Sequence, residues 1–135
     1  MKAHELMIKD WVEYGGYITT VRQLNFDEII LSGCVGRLAE VYPVPLTPEI
    51  LEKNGFHECV GNDCEWRYER MYFDTGIHVV VSKNETCEEA GIRISIGLGE
   101  TKWGARHALN LYNKQYVHEL QHALKLCGIE EFFTL

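Results

Sequence analysis

The sequence lacks any long apolar run, since no stretch approaches the roughly 20 residues of a membrane-spanning helix. Its first residues also lack the apolar segment of a secretory signal peptide. The 5 cysteines are odd in number and irregularly spaced, which argues against a disulfide framework. These absences predict a cytoplasmic protein with reduced thiols and no membrane partner.

Basic residues are too few for an extended nucleic-acid surface. The chain has 13 Lys and Arg against 20 Asp and Glu, a net charge of -7, whereas binding along a phosphate backbone needs a wide basic surface. The segment between Thr101 and His118 carries no carboxylate. A small anionic ligand or a host protein is therefore the expected partner.

Motifs for nucleophilic or cofactor chemistry are absent as well. The sequence has no Gly-x-Ser-x-Gly elbow and no phosphate loop ending in Gly-Lys-Ser or Gly-Lys-Thr, and Gly97-Leu98-Gly99 lacks the third glycine of a dinucleotide fingerprint. We predict no enzyme activity, no catalytic residue and no cofactor.

The patterns that are present predict an α+β fold in a single domain of residues 1–135. Short β-branched and aromatic runs, separated by glycine turns, predict a small SH3-like or partial barrel within residues 1–46. Residues 47–135 are expected to contain a short helix, an antiparallel hairpin sheet and a C-terminal amphipathic helix across it. The predicted strands are Trp11–Tyr14, Tyr17–Leu24, Glu28–Ser32, Val35–Tyr42, Trp66–Phe73, Ile77–Ser82 and Gly91–Leu98, with a possible edge strand at Ile129–Leu135.

Two helices are marked by capping residues and apolar spacing. Thr47-Pro48-Glu49 supplies a cap, a proline at the first helical position and an early carboxylate, and Asn54-Gly55 ends this helix. Apolar residues recur at helical spacing from Val117 to Cys127, followed by Gly128 as a stop. The start of this second helix is expected anywhere from residue 105 to residue 115.

The second helix contains His118-Glu119-Leu120-Gln121-His122, the zinc-hydrolase pattern of two metal-binding histidines and a water-activating glutamate. A third ligand is missing, because Lys125 and Gly128 stand where a metzincin has glycine and histidine. We interpret the segment as a packing helix whose His118 and His122 lie on a wet or semi-buried face, with a zinc-dependent hydrolase as an alternative.

A second set of metal-ligand types is His57, Cys59 and Cys64. A structural zinc site needs four ligands, and Cys87 is the one further residue that the sequence suggests. Isolated cysteines are more often small buried apolar residues, and we predict no metal at either site.

The predicted ligand site consists of Lys102, Trp103, Arg106 and His107. Lysine and arginine form charge-assisted bonds with phosphate or carboxylate, and tryptophan offers a face on which a base can stack. Gly104 would let the backbone approach a ligand closely. The alternative is an ordinary surface loop whose tryptophan fills the core.

Two further groups of residues are candidate contributors to binding. Arg67 and Arg70 could add to the anion site unless Glu65 and Glu69 pair with them. The aromatic residues around the first hairpin, Trp11, Tyr14 and Tyr17, form a platform for a peptide or base unless they pack across strands.

Three segments resemble a group of small uncharacterised proteins from phages and mobile elements of gut anaerobic bacteria. The first is Asp10-Trp11-Val12. The second is Pro-Val-Pro-Leu-Thr-Pro-Glu-Ile-Leu-Glu-Lys-Asn-Gly-Phe, from Pro43 to Phe56, and the third is Tyr-Val-His-Glu-Leu-Gln-His, from Tyr116 to His122. In that group the last helix often has Gln in place of Glu119 and Asn in place of His122. The resemblance therefore implies a phage or mobile-element origin and no catalytic zinc.

These observations predict a non-catalytic binding protein that sequesters a small anionic ligand, such as a host nucleotide signal used in defence. The alternative is a protein-interaction module that inhibits a host protein, through its aromatic barrel face or by using its acidic surface to mimic a nucleic acid. Both interpretations are compatible with a homo-oligomer.

Overall fold

A computed structural model of the chain describes residues 5–59, 64–84, 92–98, 109–130 and 133–135. It has an α+β fold of strands and two α-helices, as predicted. The residues form two compact units, one of residues 1–45 and 116–125 and the other of residues 46–115 and 126–135. Among the described residues, no helix is both long and apolar enough to span a membrane.

The first unit contains a five-stranded antiparallel sheet. Its strands are β1 (Trp11–Tyr14), β2 (Tyr17–Leu24), β3 (Glu28–Leu31), β4 (Cys34–Arg37) and β5 (Val41–Pro43). Their order in the sheet is β4-β3-β2-β1-β5. Strands β1 to β4 therefore lie beside one another in chain order, and β5 returns to pair with the other edge of β1. This meander with a returning last strand agrees with the predicted SH3-like or partial barrel.

The β1–β2 hairpin turns at Gly15 and Gly16, whose φ angles are +58° and +83°. Two consecutive residues with positive φ match the tight turns that join twisted strands, and glycine adopts them without steric cost. Alternate residues of the sheet point into a buried apolar cluster. The buried members of this cluster are Leu6, Val12, Val21, Ile29, Leu31, Leu38 and Val41.

The predicted strand Val35–Tyr42 is wrong, because a 3-10 turn at Leu38–Glu40 divides it into β4 and β5. The backbone N–H of Leu38 donates to the carbonyl of Asp27 at 3.1 Å, and the Leu38 side chain is buried in the apolar cluster. The turn therefore lets the chain reverse while Leu38 still contributes to the core.

The C-terminal helix, α2 (Val117–Leu126), has its residues 117–125 in the first unit. The prediction placed this helix across the second sheet, whereas the structure groups it with the barrel. Its start is tied to the barrel segment, since the N–H of Val117 donates to the carbonyl of Val44 at 2.9 Å. Val117, Leu120 and Leu124 are buried along one face, as their spacing predicted, and Cys127 is half-buried.

The second unit begins with α1 (Pro48–Lys53). The hydroxyl of Thr47 accepts from the N–H of Ile50 at 3.4 Å, and Pro48 occupies the first turn, so the predicted cap is confirmed. Its sheet contains β6 (His57–Glu58), β7 (Cys64–Tyr72), β8 (Ile77–Asn84), β9 (Ile92–Leu98) and β10 (Leu109–Lys114), in the order β10-β9-β8-β7-β6.

Strand β10 replaces the predicted start of the second helix. Asn110 and Leu111 pair with Ser95 and Ile94 of β9, so residues 109–114 are extended, and the helix begins only at Val117. Leu109, Asn110 and Leu111 alternate between apolar and polar with the period of a strand, which favours the extended conformation at the start of this stretch.

The second sheet has one apolar face and one polar face. Alternating residues of β7, β8 and β9 are buried on the apolar face, namely Tyr68, Tyr72, Ile77, Val79, Val81, Ile92, Ile94 and Ile96. The intervening residues of the same strands lie on the polar face. Ile92, Ile94 and Ile96 therefore take the side that the sequence predicted, and Arg93 and Ser95 take the other.

The C-terminal residues are held to α1 by Asn54, which is buried. Its side-chain amide donates to the carbonyls of Ile50 and Thr134, each at 2.7 Å, and its side-chain oxygen accepts from the N–H of Thr134 at 2.7 Å. The predicted edge strand at Ile129–Leu135 is wrong for the residues that the structure describes there, none of which is in a strand.

Candidate functional site

The glutamate of the zinc-hydrolase pattern caps its own helix. The carboxylate of Glu119 accepts a hydrogen bond from the backbone N–H of Tyr116 at 3.2 Å. This is the contact by which a third-position glutamate satisfies a free amide at a helix start. Glu119 therefore has a structural contact at the position where a hydrolase would have a water-activating base.

The second histidine of the pattern is bound to a buried carboxylate. His122 Nε2 lies 2.7 Å from Asp10 Oδ2, and the same oxygen accepts from the N–H of Met7 at 2.7 Å. The adjacent Gln121 donates to the carbonyl of Lys9 and accepts from the N–H of Trp11, both at 3.1 Å. These contacts hold α2 against the segment that leads into β1.

The first histidine, His118, is buried, so the predicted wet or semi-buried position is wrong for this residue. Its ring stacks on Tyr116 and meets His122 edge-on, with centroid separations of 5.9 and 5.5 Å. His118 Nδ1 is buried and has no partner among the described residues. Burial lowers the pKa of His118 from its ordinary value of 6.5, although Asp10 acts in the opposite direction.

Acidification should therefore weaken the folded state through His118. The unfolded chain takes up a proton near pH 6.5, whereas the folded state has a lower pKa, so the stability contributed by neutral His118 is present above pH 6.5 and falls as the pH drops below it. The expected slope reaches at most about 1.4 kcal/mol per pH unit. Urea unfolding at several pH values should show a flatter profile for His118→Phe, which keeps an aromatic ring beside Tyr116.

The exposed His57 supplies the matched control for this test. His57→Phe should leave the slope of the wild-type profile unchanged. Equal slopes for wild type and His118→Phe would show that buried His118 is not the group responsible.

The described residues contain no cluster of three or more His, Cys, Asp or Glu side chains that could hold a metal ion. His57 is exposed and lies opposite Glu69 in the β6–β7 pair. Cys59 is half-buried, and its thiol contacts the carbonyl of Arg67 at 3.7 Å. Burial, and secondarily Glu69, raises the pKa of the Cys59 thiol, while Arg67 acts in the opposite direction.

The predicted ligand residues Lys102, Trp103, Arg106 and His107 lie outside the described residues. They belong to the connection between β9 and β10, two neighbouring strands of the second sheet. The same two strands also carry side chains on the polar face of the sheet, and the structure does describe these.

Two arginines and a serine form a row across the polar face. Arg67 of β7 lies opposite Ser82 of β8, and Ser82 lies opposite Arg93 of β9. Residues directly opposite one another on paired strands share a face of the sheet, so the three side chains stand side by side. We call Arg67, Ser82 and Arg93 the arginine row.

Neighbouring carboxylates of the described residues are paired with other side chains. Glu65 lies 3.4 Å from the amine of Lys83, and Glu69 lies 3.0 Å from the ring of His78. Neither glutamate forms an ion pair with Arg67 among the described contacts. The Nε atoms of Arg67 and Arg93 are buried and lack a hydrogen-bond partner within the described part of the chain.

Arg93 is held in place by its neighbours on β9 and β10. Its Nη2 donates to Asn110 Oδ1 at 3.1 Å, and Ser95 Oγ donates to the same oxygen at 2.7 Å. The Arg93 guanidinium also lies 5.5 Å from the ring centroid of Tyr112. Both contacts are with uncharged groups, so they orient the arginine without neutralising it.

Arg70 has a structural position instead. Successive residues of a strand point to opposite faces of the sheet, so Arg70 lies on the face opposite to Arg67 and Glu69. Its Nη1 donates to the carbonyl of Asn54 at 2.6 Å, and its guanidinium covers the ring of Tyr72 at 4.4 Å. The two arginines of this hairpin thus have different surroundings.

The aromatic residues of the first hairpin do not form a common platform. Trp11 and Tyr14 are half-buried, and Tyr14 packs so closely on Gly36 that a Cβ there would lie 2.6 Å from the ring. Tyr17 is exposed at the turn. The exposed side chains Ile18 and Tyr42 instead flank Glu13 on the outer face of the barrel sheet.

Comparison with known proteins found no matching family model, no matching curated protein and no matching solved structure. The site is consequently defined by the chain's own geometry. Sequence reasoning considered Arg67 but did not select Ser82, Arg93, Asn110 or Tyr112. The alternation of Arg93 and Ser95 with buried isoleucines marked their face, but β10 was not predicted, and the register that aligns β7, β8 and β9 cannot be read from the sequence.

Proposed function

We propose that this protein is a non-catalytic binding protein that captures a small anionic ligand on the polar face of its second sheet. The observation that carries the proposal is the arginine row, in which two cationic side chains flank a serine and make no ion pair with a carboxylate of the described residues. Guanidinium groups form their strongest hydrogen bonds with phosphate and carboxylate oxygens.

The spacing of the arginine row suits a ligand with one or two phosphates. Paired strands lie about 4.8 Å apart, so the backbones at Arg67 and Arg93 are separated by two such intervals, or about 10 Å. The Arg93 guanidinium is turned toward Asn110 and Tyr112, and the proposal is that anion binding swings it toward Arg67, so that both side chains contact the anion above the largely buried Ser82. An anion there also relieves the repulsion between the two guanidinium groups.

The finer form of the proposal is that the ligand is a nucleotide-like host defence signal, which the protein sequesters. It draws on the resemblance to phage and mobile-element proteins. Lys102, Trp103, Arg106 and His107 belong to this proposal as additional ligand contacts, because they connect the strands that carry Arg93 and Tyr112.

Replacing both arginines with glutamine should abolish ligand capture. A hydrogen bond to a charged group contributes about 1.5–3 kcal/mol, so Arg67→Gln with Arg93→Gln should weaken binding by about 100-fold or more. The measurement is isothermal titration calorimetry with AMP and with inorganic pyrophosphate as probes. Thermal unfolding of the double variant verifies that the fold is retained.

The matched control removes two arginines from the first unit. Arg22 and Arg37 are exposed, and their replacement by glutamine makes the same change in net charge. This control should bind both probes as wild type does. The proposal is wrong if wild type binds neither probe, or if the arginine-row variant binds them with undiminished affinity.

A second candidate function is a protein-interaction module, which the exposed apolar residues of the barrel favour. Ile18 and Tyr42 are 53% and 62% exposed beside Glu13. Exposed apolar residues grouped on one sheet face are typical of docking surfaces. Co-purification separates the candidates, since this function requires a host protein and the first requires a retained small molecule.

A further inference from the structure

Tyr112 lies on β10, next to the strand that carries Arg93. Its side chain is 55% exposed, and the Arg93 guanidinium lies 5.5 Å from the centroid of its ring. This cation–π contact orients the ring beside the arginine row. The exposed part of the ring is therefore a flat apolar surface that adjoins the proposed anion site.

Asn110, on the same face of β10, adds an oriented amide. Its side-chain oxygen accepts from both Arg93 and Ser95. Because both donors point at the oxygen, the NH2 group of Asn110 is directed away from them, and it makes no hydrogen bond to the described residues. Side-chain amides of this kind recognise the acceptor atoms on the edges of nucleobases.

We infer that the ligand of the arginine row is a nucleotide whose base stacks on Tyr112 while its phosphate lies between Arg67 and Arg93. The inference rests on the proposed anion-binding function and adds the recognition of an aromatic ring. Tyr112 and Ser82 are two strands apart, about 10 Å, which is comparable to the length of a mononucleotide. Stacking of a base on an aromatic side chain strengthens binding by about 10-fold or more.

The test compares AMP with ribose 5-phosphate, which has the same sugar and phosphate but no base. Wild-type protein should bind AMP at least about 10-fold more tightly. Tyr112→Ala should lower the affinity for AMP to that for ribose 5-phosphate and leave the latter unchanged. Tyr112→Phe, which keeps the ring, should retain the preference, and Tyr42→Ala should do so as a control for loss of an exposed tyrosine from the first unit.

The possible failures are distinguishable. Equal affinity of wild type for the two probes, with binding still dependent on Arg67 and Arg93, would overturn the ring inference and leave the anion-binding function intact. A preference for AMP that survives in Tyr112→Ala would also overturn it. Failure of both probes to bind wild-type protein would overturn the function and the inference together.

Discussion

Asp10→Ala is expected to destabilise the protein by about 3 kcal/mol, because it removes a buried carboxylate that accepts two hydrogen bonds. Asp10 is 3% exposed and accepts hydrogen bonds from His122 and from the N–H of Met7. Its loss leaves both groups without their acceptor, and an unsatisfied buried donor costs about 1–3 kcal/mol. Urea unfolding at neutral pH measures the change.

Three further variants make this prediction specific. Asp10→Asn keeps an oxygen acceptor and should cost less than Asp10→Ala. Asp27→Ala removes an exposed carboxylate of the same unit and should change the stability by less than about 0.5 kcal/mol. The double variant with His122→Ala should show coupling between the two sites. A loss below about 1 kcal/mol in Asp10→Ala would contradict the assigned role of the pair.

Asn54→Ala should destabilise the second unit to a similar extent. The side chain makes three hydrogen bonds to the backbone of Ile50 and Thr134. At about 1 kcal/mol for each bond, the expected loss is about 3 kcal/mol. Chemical unfolding measures the loss, and faster amide hydrogen exchange at Thr134 would show that the C-terminal residues have been released.

Thr134→Ala provides the control, because Asn54 bonds to the backbone of Thr134 and not to its exposed side chain. This variant should lose less than about 0.5 kcal/mol. If Thr134→Ala proves as damaging as Asn54→Ala, or if Asn54→Ala is neutral, the side-chain bonds do not hold the C-terminus.

The fold could be predicted where the signals are local. The glycines at positions 15 and 16 mark a hairpin, and Thr47 with Pro48 marks a helix start, because these residues act on their own backbone. The start of α2 was missed since Tyr116 is not a typical cap residue and the stabilising contact comes from Glu119. Short alternating segments such as β10 are ambiguous without knowledge of their partner strand.

The candidate site could be predicted only in part, because it depends on strand register. Arg93 was correctly assigned to a polar face, but its alignment with Ser82 and Arg67 results from pairing between three strands. A shift by one residue would place these side chains on opposite faces. Likewise, the contact of Asp10 with His122 joins positions 112 residues apart and is a property of the folded chain.

The most direct test of the arginine row is an amide chemical-shift titration with AMP, observed by NMR on the isotopically labelled protein. We expect the largest changes at Arg67, Ser82 and Arg93, with further changes between residues 101 and 108, and we expect them to vanish in the variant with glutamine at both arginines. Changes confined to the barrel strands, or no changes at all, would contradict the assignment of the ligand site to the polar face of the second sheet.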